Sequence, residues 1–343
     1  MREKALKSIP SSIFSSFPIA SFLPVRAAWC GALALLACSH ALAQPDSYPS
    51  KPITLVVAYP AGGSTDLTGR VLGLELSKKL GVPVVIENIG GAGGVIGAQK
   101  VANAAADGYT LLVGASNEIA ISRLVSSAVK YDIKDFTPIG LIATQPMVLV
   151  ASQKSGVKTV EQFIRQVSQN PGKLSYGSSG VGTALHLAGE MVKDQGGLFM
   201  THIPYRGVAP LANDLLGNNI DFGMFVMSSG LPHIRSGKVV ALGTTEAKRS
   251  PMTADIPALA ETPKLKGIDI NIWFALMGPA RMPAPVVAKL KKALNDSLQT
   301  IELRKKLEDS GSTVSLLNVD MTGFLKQETA KYQRIVDFAK IKE

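Results

Sequence analysis

The chain has 343 residues, 46% of them hydrophobic and 18% charged, with 36 Lys and Arg against 26 Asp and Glu for a formal net charge of +10. That balance excludes a disordered or low-complexity chain, and the length allows about two domains with substantial cores. A mean hydropathy of +0.20 raises the question of a membrane protein, but no uninterrupted apolar run reaches the ~18 to 20 residues that a spanning helix needs.

The first element is an export signal. Arg26 precedes the apolar run AAWCGALALLA (27 to 37), which leads to Ala41-Leu42-Ala43, a small-x-small triplet ahead of Gln44-Pro45. This pattern predicts a secretory signal peptide over residues 1–43, removed after Ala43. A buried helix is the alternative, but the Pro-, Ser- and Phe-rich residues 8 to 24 offer it no globular context. Leu35-Leu36-Ala37-Cys38 also resembles a weak lipoprotein cleavage box, which as a minority route would leave Cys38 acylated. Val25 stands directly before Arg26, so a start of translation at position 25 would give a compact signal. Both cysteines, Cys30 and Cys38, fall in this segment. The chain after Ala43 therefore has no disulfide, thiol nucleophile or cysteine-ligated metal. Removing Arg2, Glu3, Lys4, Lys7 and Arg26 lowers the formal charge by three. The remaining excess, spread without a Lys/Arg run, suits attraction of small anions and not nucleic acid.

From Ile53, short β-branched runs alternate with helical patterns: ITLVVAY (53 to 59), a helix over 65 to 80, PVVIEN (83 to 88), a helix over 95 to 106, and YTLLVG (109 to 114). In the first helix Leu67, Val71 and Leu74 share one face, and Gly81 is placed to end it in a left-handed conformation. This βαβαβ pattern implies a parallel sheet covered by helices. Strands are expected at 139 to 143 and 147 to 151, and Thr159 with Gln162 reads as a capping box for a helix ending at Asn170-Pro171. A second alternating set follows: LSYG (174 to 177), a helix over 183 to 193, MTHIPY (200 to 205), a helix over 209 to 216, IDFGMFV (220 to 226) and VVALGT (239 to 244). Two such units read as two domains. Helices over 285 to 300 and 322 to 338 close the chain and are expected to return to the first domain.

Pro60-Ala61-Gly62-Gly63-Ser64-Thr65-Asp66 lies between the first strand and first helix, where a parallel sheet exposes strand ends and helix N-termini to a ligand. Its glycines let backbone approach an anion, Ser64 and Thr65 offer hydroxyls or caps, and Asp66 complements the positive helix end. A tight turn with a cap explains the motif equally well. Gly90-Gly91-Ala92-Gly93-Gly94-Val95-Ile96-Gly97 fails as a dinucleotide fingerprint because Ile96 stands where a glycine is needed, and it fails as a Walker loop because no Gly-Lys-Ser/Thr follows. Close packing of a helix on its sheet is the favoured reading there. Gly177-Ser178-Ser179-Gly180-Val181-Gly182-Thr183 repeats the chemistry of the first loop in the second unit, and two such loops facing each other would hold a small anion.

A serine hydrolase with Ser179 as nucleophile and His186 as base competes with this reading. It is weakened by Val181, which stands where the elbow needs glycine, and by the seven-residue separation along one helix. His186, His202 and His233 show no metal-binding spacing with one another. Arg206, in Tyr205-Arg206-Gly207, either reaches the cleft or pairs with Asp214.

With these loops in hand, the chain resembles the substrate-binding receptors of tripartite tricarboxylate transporters, also called the Bug family. The resemblance runs from YPSKPITLVVAYPAGGSTD through GGAGGVIGAQKVANAAADGYTLLVG, KDFTPIGLIAT, YGSSGVGTALHLAGE and HIPYRGVAPLANDLLGNNIDF to LPHIRSGKVVALGTTEAKRSP and the end of the chain. It implies an α/β, two-domain periplasmic-binding-protein type II fold (a Venus flytrap) with a ligand cleft between the domains. Domain 1 would comprise 44–146 plus 265–343, and domain 2 would comprise 147–264. It implies a periplasmic, non-enzymatic monomer that takes no cofactor and no metal, captures a small carboxylated ligand and delivers it to the membrane permease subunits. Carried over by motif, the ligand-binding residues would be Tyr59, Ala61, Gly62, Gly63, Ser64, Thr65 and Asp66 in the first loop. Ser178, Ser179, Gly180, Gly182 and Thr183 form the second, with Ser116, Asn117, Tyr205, Arg206 and Gly207 bordering the cleft. Gly217-Asn218-Asn219 and the apolar Met224 to Met227 depart from the family pattern. If Met224 or Met227 reaches the cleft, the ligand carries an apolar body; otherwise these methionines fill the core.

Overall fold

The computed structural model describes residues 48–342, so the signal peptide expected over 1–43, with its Cys38 alternative, lies outside the described residues. The first apolar runs form β1 (Ile53–Val57), α1 (Ser64–Leu80), β2 (Val84–Asn88), α2 (Val95–Ala102) and β3 (Thr110–Ala115). β1 pairs in parallel with β2 on one side and β3 on the other, as the βαβαβ pattern requires. Gly81 ends α1 at φ 72°, in the left-handed region. The buried face of α1 differs from the expected one: Leu72 and Leu76 are fully buried, whereas Leu74 is 51% exposed. Gly69 and Gly73 explain the rotation. A Cβ on Gly69 would stand 2.7 Å from Val57 Cγ2 and one on Gly73 2.9 Å from Ile86 Cδ1, so the helix lays its glycines on the sheet. A pattern of apolar side chains gives glycine no weight and so misplaces that face.

After β3 the chain makes a π turn (Asn117–Ile121) and the short α3 (Ser122–Val125). The strands expected at 139 to 143 and 147 to 151 are one 17-residue strand, β4 (Phe136–Ser152). The second alternating set then supplies α4 (Val160–Gln169), β5 (Ser175–Ser178), α5 (Ala184–Gly196), β6 (Thr201–Pro204), α6 (Val208–Leu216), β7 (Phe222–Val226), α7 (Met227–Arg235) and β8 (Val239–Thr244). Thr159 caps α4 by accepting the Gln162 N–H at 3.3 Å, while the Gln162 side chain accepts from Lys158 N–H instead of closing the reciprocal box. The chain ends with β9 (Asn271–Pro279), α8 (Ala284–Leu298), α9 (Ile301–Asp309), β10 (Thr313–Val314) and α10 (Met321–Ala339).

The strand order is β2-β1-β3-β9-β4-β7-β5-β6, with β8 and β10 also paired to β4. Phe136 to Pro146 of β4 pair antiparallel with β9, and Met147 to Ser152 pair antiparallel with β7 and β8. One strand thus belongs to two half-sheets, each with its own helices. Gln145, 1% exposed, marks the changeover. Its amide donates to Ser310 O at 3.0 Å and Ser312 Oγ at 2.9 Å on the first half, and accepts from Ser228 Oγ at 2.9 Å on the second. The return crossing lies beside it, where Thr245 N–H donates to Met147 O and Ile270 N–H donates to Thr245 O. Helix α8 packs on α1 of the first half, and α10 packs on both the π turn and α5, so it touches both halves. No described helix is long and apolar enough to cross a membrane.

Candidate functional site

The strand-to-helix loops of both halves form one connected surface. Tyr59 leaves β1 and lays its hydroxyl against Glu118 Oε2 at 2.5 Å and Gly93 O at 3.1 Å. This ties the loop after β1 to those after β2 and β3. Asn117, in the π turn, accepts the N–H of Ala184, the first residue of α5, at 2.8 Å, so a side chain of the first half caps a helix of the second. Gly182, φ 68°, packs where a Cβ would lie 2.6 Å from Val125 Cγ2, again across the two halves. Within the second half, Tyr205 N–H donates to Ser178 O and Gly207 N–H to Ser179 O, which joins the loop after β6 to the loop after β5.

The first loop keeps its helix N-terminus open. Gly63 is the N-cap of α1, and no side chain accepts its first N–H groups. Orphan amides of this kind, with the positive end of the helix dipole, favour an anion. Asp66 does not occupy them. It is 3% exposed, and its Oδ2 accepts from Gly62 N–H at 2.8 Å and Arg70 Nε at 2.9 Å, while Oδ1 accepts from Asn88 Nδ2 at 2.8 Å. Burial alone would raise its pKa, but Arg70, the Gly62 N–H and Asn88 together hold it below the usual carboxylate range. Asp66 is thus a brace that shapes the loop and uses up the Gly62 donor. Conformation matters at Gly62, whose φ is 92°, whereas Gly63 has an ordinary φ of −84°. Ala61 and Gly62 are exposed, Gly63 and Ser64 half-buried, and Thr65 buried.

In the second loop, Thr183 caps α5 by accepting from His186 N–H, donates its own hydroxyl to Gly180 O at 2.8 Å, and accepts from Ser179 Oγ at 3.2 Å. Beneath it, His186 and His202 stack at 3.9 Å with planes 9° apart, and Tyr176 stacks on His202 at 4.9 Å. His186 Nδ1 accepts from Gly182 N–H at 3.1 Å. Burial, reinforced by Lys193 against the pull of Glu190, lowers the pKa of His186 to about 4. Burial, then His186 and Lys193, lower that of His202 to about 3. Both rings are neutral supports of the loop at pH 7. This platform escapes the sequence reading because His186 and His202 are sixteen positions apart on a helix and a strand.

The hydrolase arrangement does not form, since His186 is engaged by Gly182 and Ser179 by Thr183. Ser178 Oγ does lie 2.7 Å from His202 Nε2, but Ser178 is fully buried and its hydroxyl also closes on Gly180 O. Arg206 is exposed and does not pair with Asp214, which instead accepts from Tyr205 Oη at 2.7 Å and Asn219 Nδ2 at 3.1 Å. Met224 and Met227 are fully buried and fill the core. Gly97 has the packing role expected of the second glycine loop, since a Cβ there would meet Ala58 Cα at 2.8 Å. Ser116 is fully buried below Asn117. A separate surface hollow of about 430 Å³, lined by Arg235, Arg304 and Lys305 among others, contains no residue of these loops. Among the described residues no group of three or more His, Cys, Asp or Glu could hold a metal ion.

The model of the tripartite tricarboxylate transporter family receptor matches residues 68–341. The chain belongs to this family. Protein BugT of Bordetella pertussis is 33% identical over 294 residues, which are 85% of this chain and 90% of that one. The solved structure of R. palustris Rpa4515 with adipate is 31% identical, covers 86% of this chain and 99% of its own, and superposes with a TM-score of 0.81. MatC from Rhodopseudomonas palustris with bound malate is 28% identical, covers 84% of this chain and 100% of its own, and has a TM-score of 0.77. The fold is accordingly the two-domain α/β type II fold of periplasmic binding proteins, with β4 as a strand common to both half-sheets.

Proposed function

We propose that this receptor binds a small carboxylated molecule between its two halves and delivers it to the membrane permease subunits of a tripartite tricarboxylate transporter, without catalysis. The protein is exported to the periplasm after loss of residues 1–43 and acts as a monomer. Domain 1 is 44–146 with 265–343, and domain 2 is 147–264. The ligand meets the first loop (Tyr59 and Ala61 to Thr65, braced by Asp66), the second (Ser179, Gly180, Gly182 and Thr183, over the buried Ser178) and the bordering Asn117, Tyr205, Arg206 and Gly207, with Ser116 buried beneath. The observation that carries this reading is the uncapped N-terminus of α1, in a first half whose turn after β3 is joined to the second half by the Ala184 to Asn117 hydrogen bond. The adipate and malate held by relatives of the same fold agree with a carboxylate as the ligand.

The chemistry predicts a strict preference for charge. A carboxylate gains charge-assisted hydrogen bonds and the helix dipole, while a carboxamide fills the same space but presents donors to donors. Calorimetry with a panel of dicarboxylates, malate and adipate included, and with their amides tests this. The best acid should bind at least about tenfold more tightly than its amide. Saturation with it should shrink the radius of gyration in small-angle scattering as the halves close. Equal affinity for acid and amide would remove the anion mechanism, and an unchanged radius would place the whole site on one half.

A further inference from the structure

Glu118 is an acid of this surface that the binding chemistry above leaves without a task, and it is wholly buried. It stands in the π turn directly after β3, a rare winding that tends to mark functional positions. Its Oε1 accepts from Ala115 N–H at 2.5 Å, and its Oε2 lies 2.5 Å from Tyr59 Oη. The Tyr59 hydroxyl is also 3.1 Å from Gly93 O. Gly94, φ 99°, is fitted against the pair, since a Cβ there would stand 2.9 Å from Glu118 Oε2 and 3.0 Å from Tyr59 Oη.

Counting protons decides the state of this cluster. Tyr59 has a single hydroxyl proton and two acceptors in reach. If Glu118 is ionised, it takes that proton and leaves the Gly93 carbonyl unpaired by it. If Glu118 is protonated, it donates to Tyr59 Oη, Tyr59 donates to Gly93 O, and two protons satisfy every short contact. Among the described residues no free cation stands by to stabilise a charge here. The titratable groups that face the carboxyl are the phenols Tyr59 and Tyr131, the latter donating to the Glu118 carbonyl at 2.7 Å. Of the elements packed against the turn, α2 carries Lys100, which is held by Glu87 at 2.7 Å. α10 carries Glu328 and Lys331, paired with each other at 2.7 Å, and Tyr332, whose hydroxyl donates to Asn271 O. On α3, Arg123 is exposed. A buried carboxylate with no counter-charge is strongly disfavoured. Burial accordingly raises the pKa of Glu118 to about 7, against the opposing bonds from Tyr59, Ala115 N–H and its own backbone N–H.

We propose that Glu118 is a positioning residue held as a neutral acid, whose proton locks the loops after β1, β2 and β3 into one anion-receptive surface through Tyr59 and Gly93. Loss of that proton turns the Tyr59 hydroxyl to Glu118, releases the Gly93 carbonyl of the loop after β2 and places a negative charge beneath a site for anions, so ligand capture falls as the surroundings turn alkaline. The binding consequence rests on the carboxylate-receptor reading, whereas the protonation state does not.

Two measurements keep these apart. In full-length mature protein carrying ¹³Cδ-glutamate, the Glu118 resonance, identified by its disappearance in Glu118→Gln, should report a protonated carboxyl at pH 6 and titrate near neutrality. A midpoint near the ordinary glutamate value of 4.5 overturns the proposal whether or not any ligand is known. Calorimetry with malate or adipate, whichever binds, should show wild-type affinity falling about tenfold between pH 6 and pH 8.5, the size of one charge-assisted hydrogen bond lost. Glu118→Gln, whose amide donates to Tyr59 at every pH, should flatten that dependence to under about twofold. A slope unchanged in Glu118→Gln overturns the proposal. If neither acid binds, the receptor reading fails for these ligands and the resonance alone decides the fate of the Glu118 lock.

Discussion

Acidification acts on two buried sets of groups in opposite directions, and the substitution Glu118→Gln separates them. His186 has its pKa lowered from 6.5 to about 4, chiefly by burial. Between those values the unfolded chain binds more protons, so the contribution of His186 is fully present above pH 6.5 and is lost as pH falls. Glu118 has its pKa raised from 4.5 to about 7, so the folded state binds more protons and its contribution is present at low pH and lost as pH rises through 7. From pH 7.5 to pH 5, linkage gives a loss of about 2 kcal/mol from His186 and a gain of about 2 kcal/mol from Glu118. His202, nearer to solvent, adds a further loss of about 1 kcal/mol once screening by water is allowed for. These groups together therefore change wild-type stability by only about 1 kcal/mol, whereas Glu118→Gln should lose about 3 kcal/mol over the same range. Urea unfolding followed by the fluorescence of the buried Trp273 at pH 7.5, 6.2 and 5 measures both proteins, and all other titrating groups cancel in the comparison. A pH-dependent difference between variant and wild type below about 0.5 kcal/mol would refute the neutral buried acid. A Glu118→Gln protein that gains stability on acidification would refute the neutral histidine pair.

Three further outcomes follow from single contacts. Gly63→Ser supplies the side-chain cap that α1 lacks, so urea unfolding should show stability held or raised by a few tenths of a kcal/mol while calorimetry shows weaker acid binding, because the new hydroxyl occupies an amide meant for the ligand. Asn117→Ala removes the acceptor for Ala184 N–H and about 1 kcal/mol of contact between the halves, and should enlarge the radius of gyration of the free protein in small-angle scattering. Gln145→Leu leaves Ser228 and the Ser310 carbonyl without their partner at the changeover of β4, and should lower the stability measured in urea by about 1 to 3 kcal/mol.

The sequence makes most of this fold legible where period and punctuation agree. The βαβαβ unit, the second alternating set and the left-handed Gly81 all follow from local chemistry that tertiary contacts do not reverse. The failures have physical causes. β4 reads as two strands because Pro138 and Pro146 resemble stops, yet it pairs through both, with register shifts on its β9 side between Pro138 and Gly140 and between Leu141 and Ala143. β9 is missed because a run buried on both faces, NIWFALMGP, has no alternation to detect. α7 is missed because Pro232 lies inside it.

The candidate site was legible as loops and illegible as bonds. Glycine, serine and threonine between a strand and a helix point to exposed amides, and the loops so identified are each tied to the turn after β3, through Tyr59 and through Ala184. Asp66 does stand in the first turn of α1, as a complement to the helix dipole, but the pattern does not show that it also restrains Gly62 and Asn88. The pattern marks Tyr59 as a ligand contact but gives no sign of the bonds from its hydroxyl to Glu118 and Gly93. In the binding mode proposed above, backbone amides carry recognition of the anion, and a backbone amide has no letter in the sequence. What the sequence does encode is the scaffold that aims those amides: a brace at Asp66, a cap at Asn117, a histidine stack under Gly182 and a buried acid under Tyr59. A search for the ligand's identity should therefore vary the residues that shape the space above the amides, because the amides themselves would serve any carboxylate that fits.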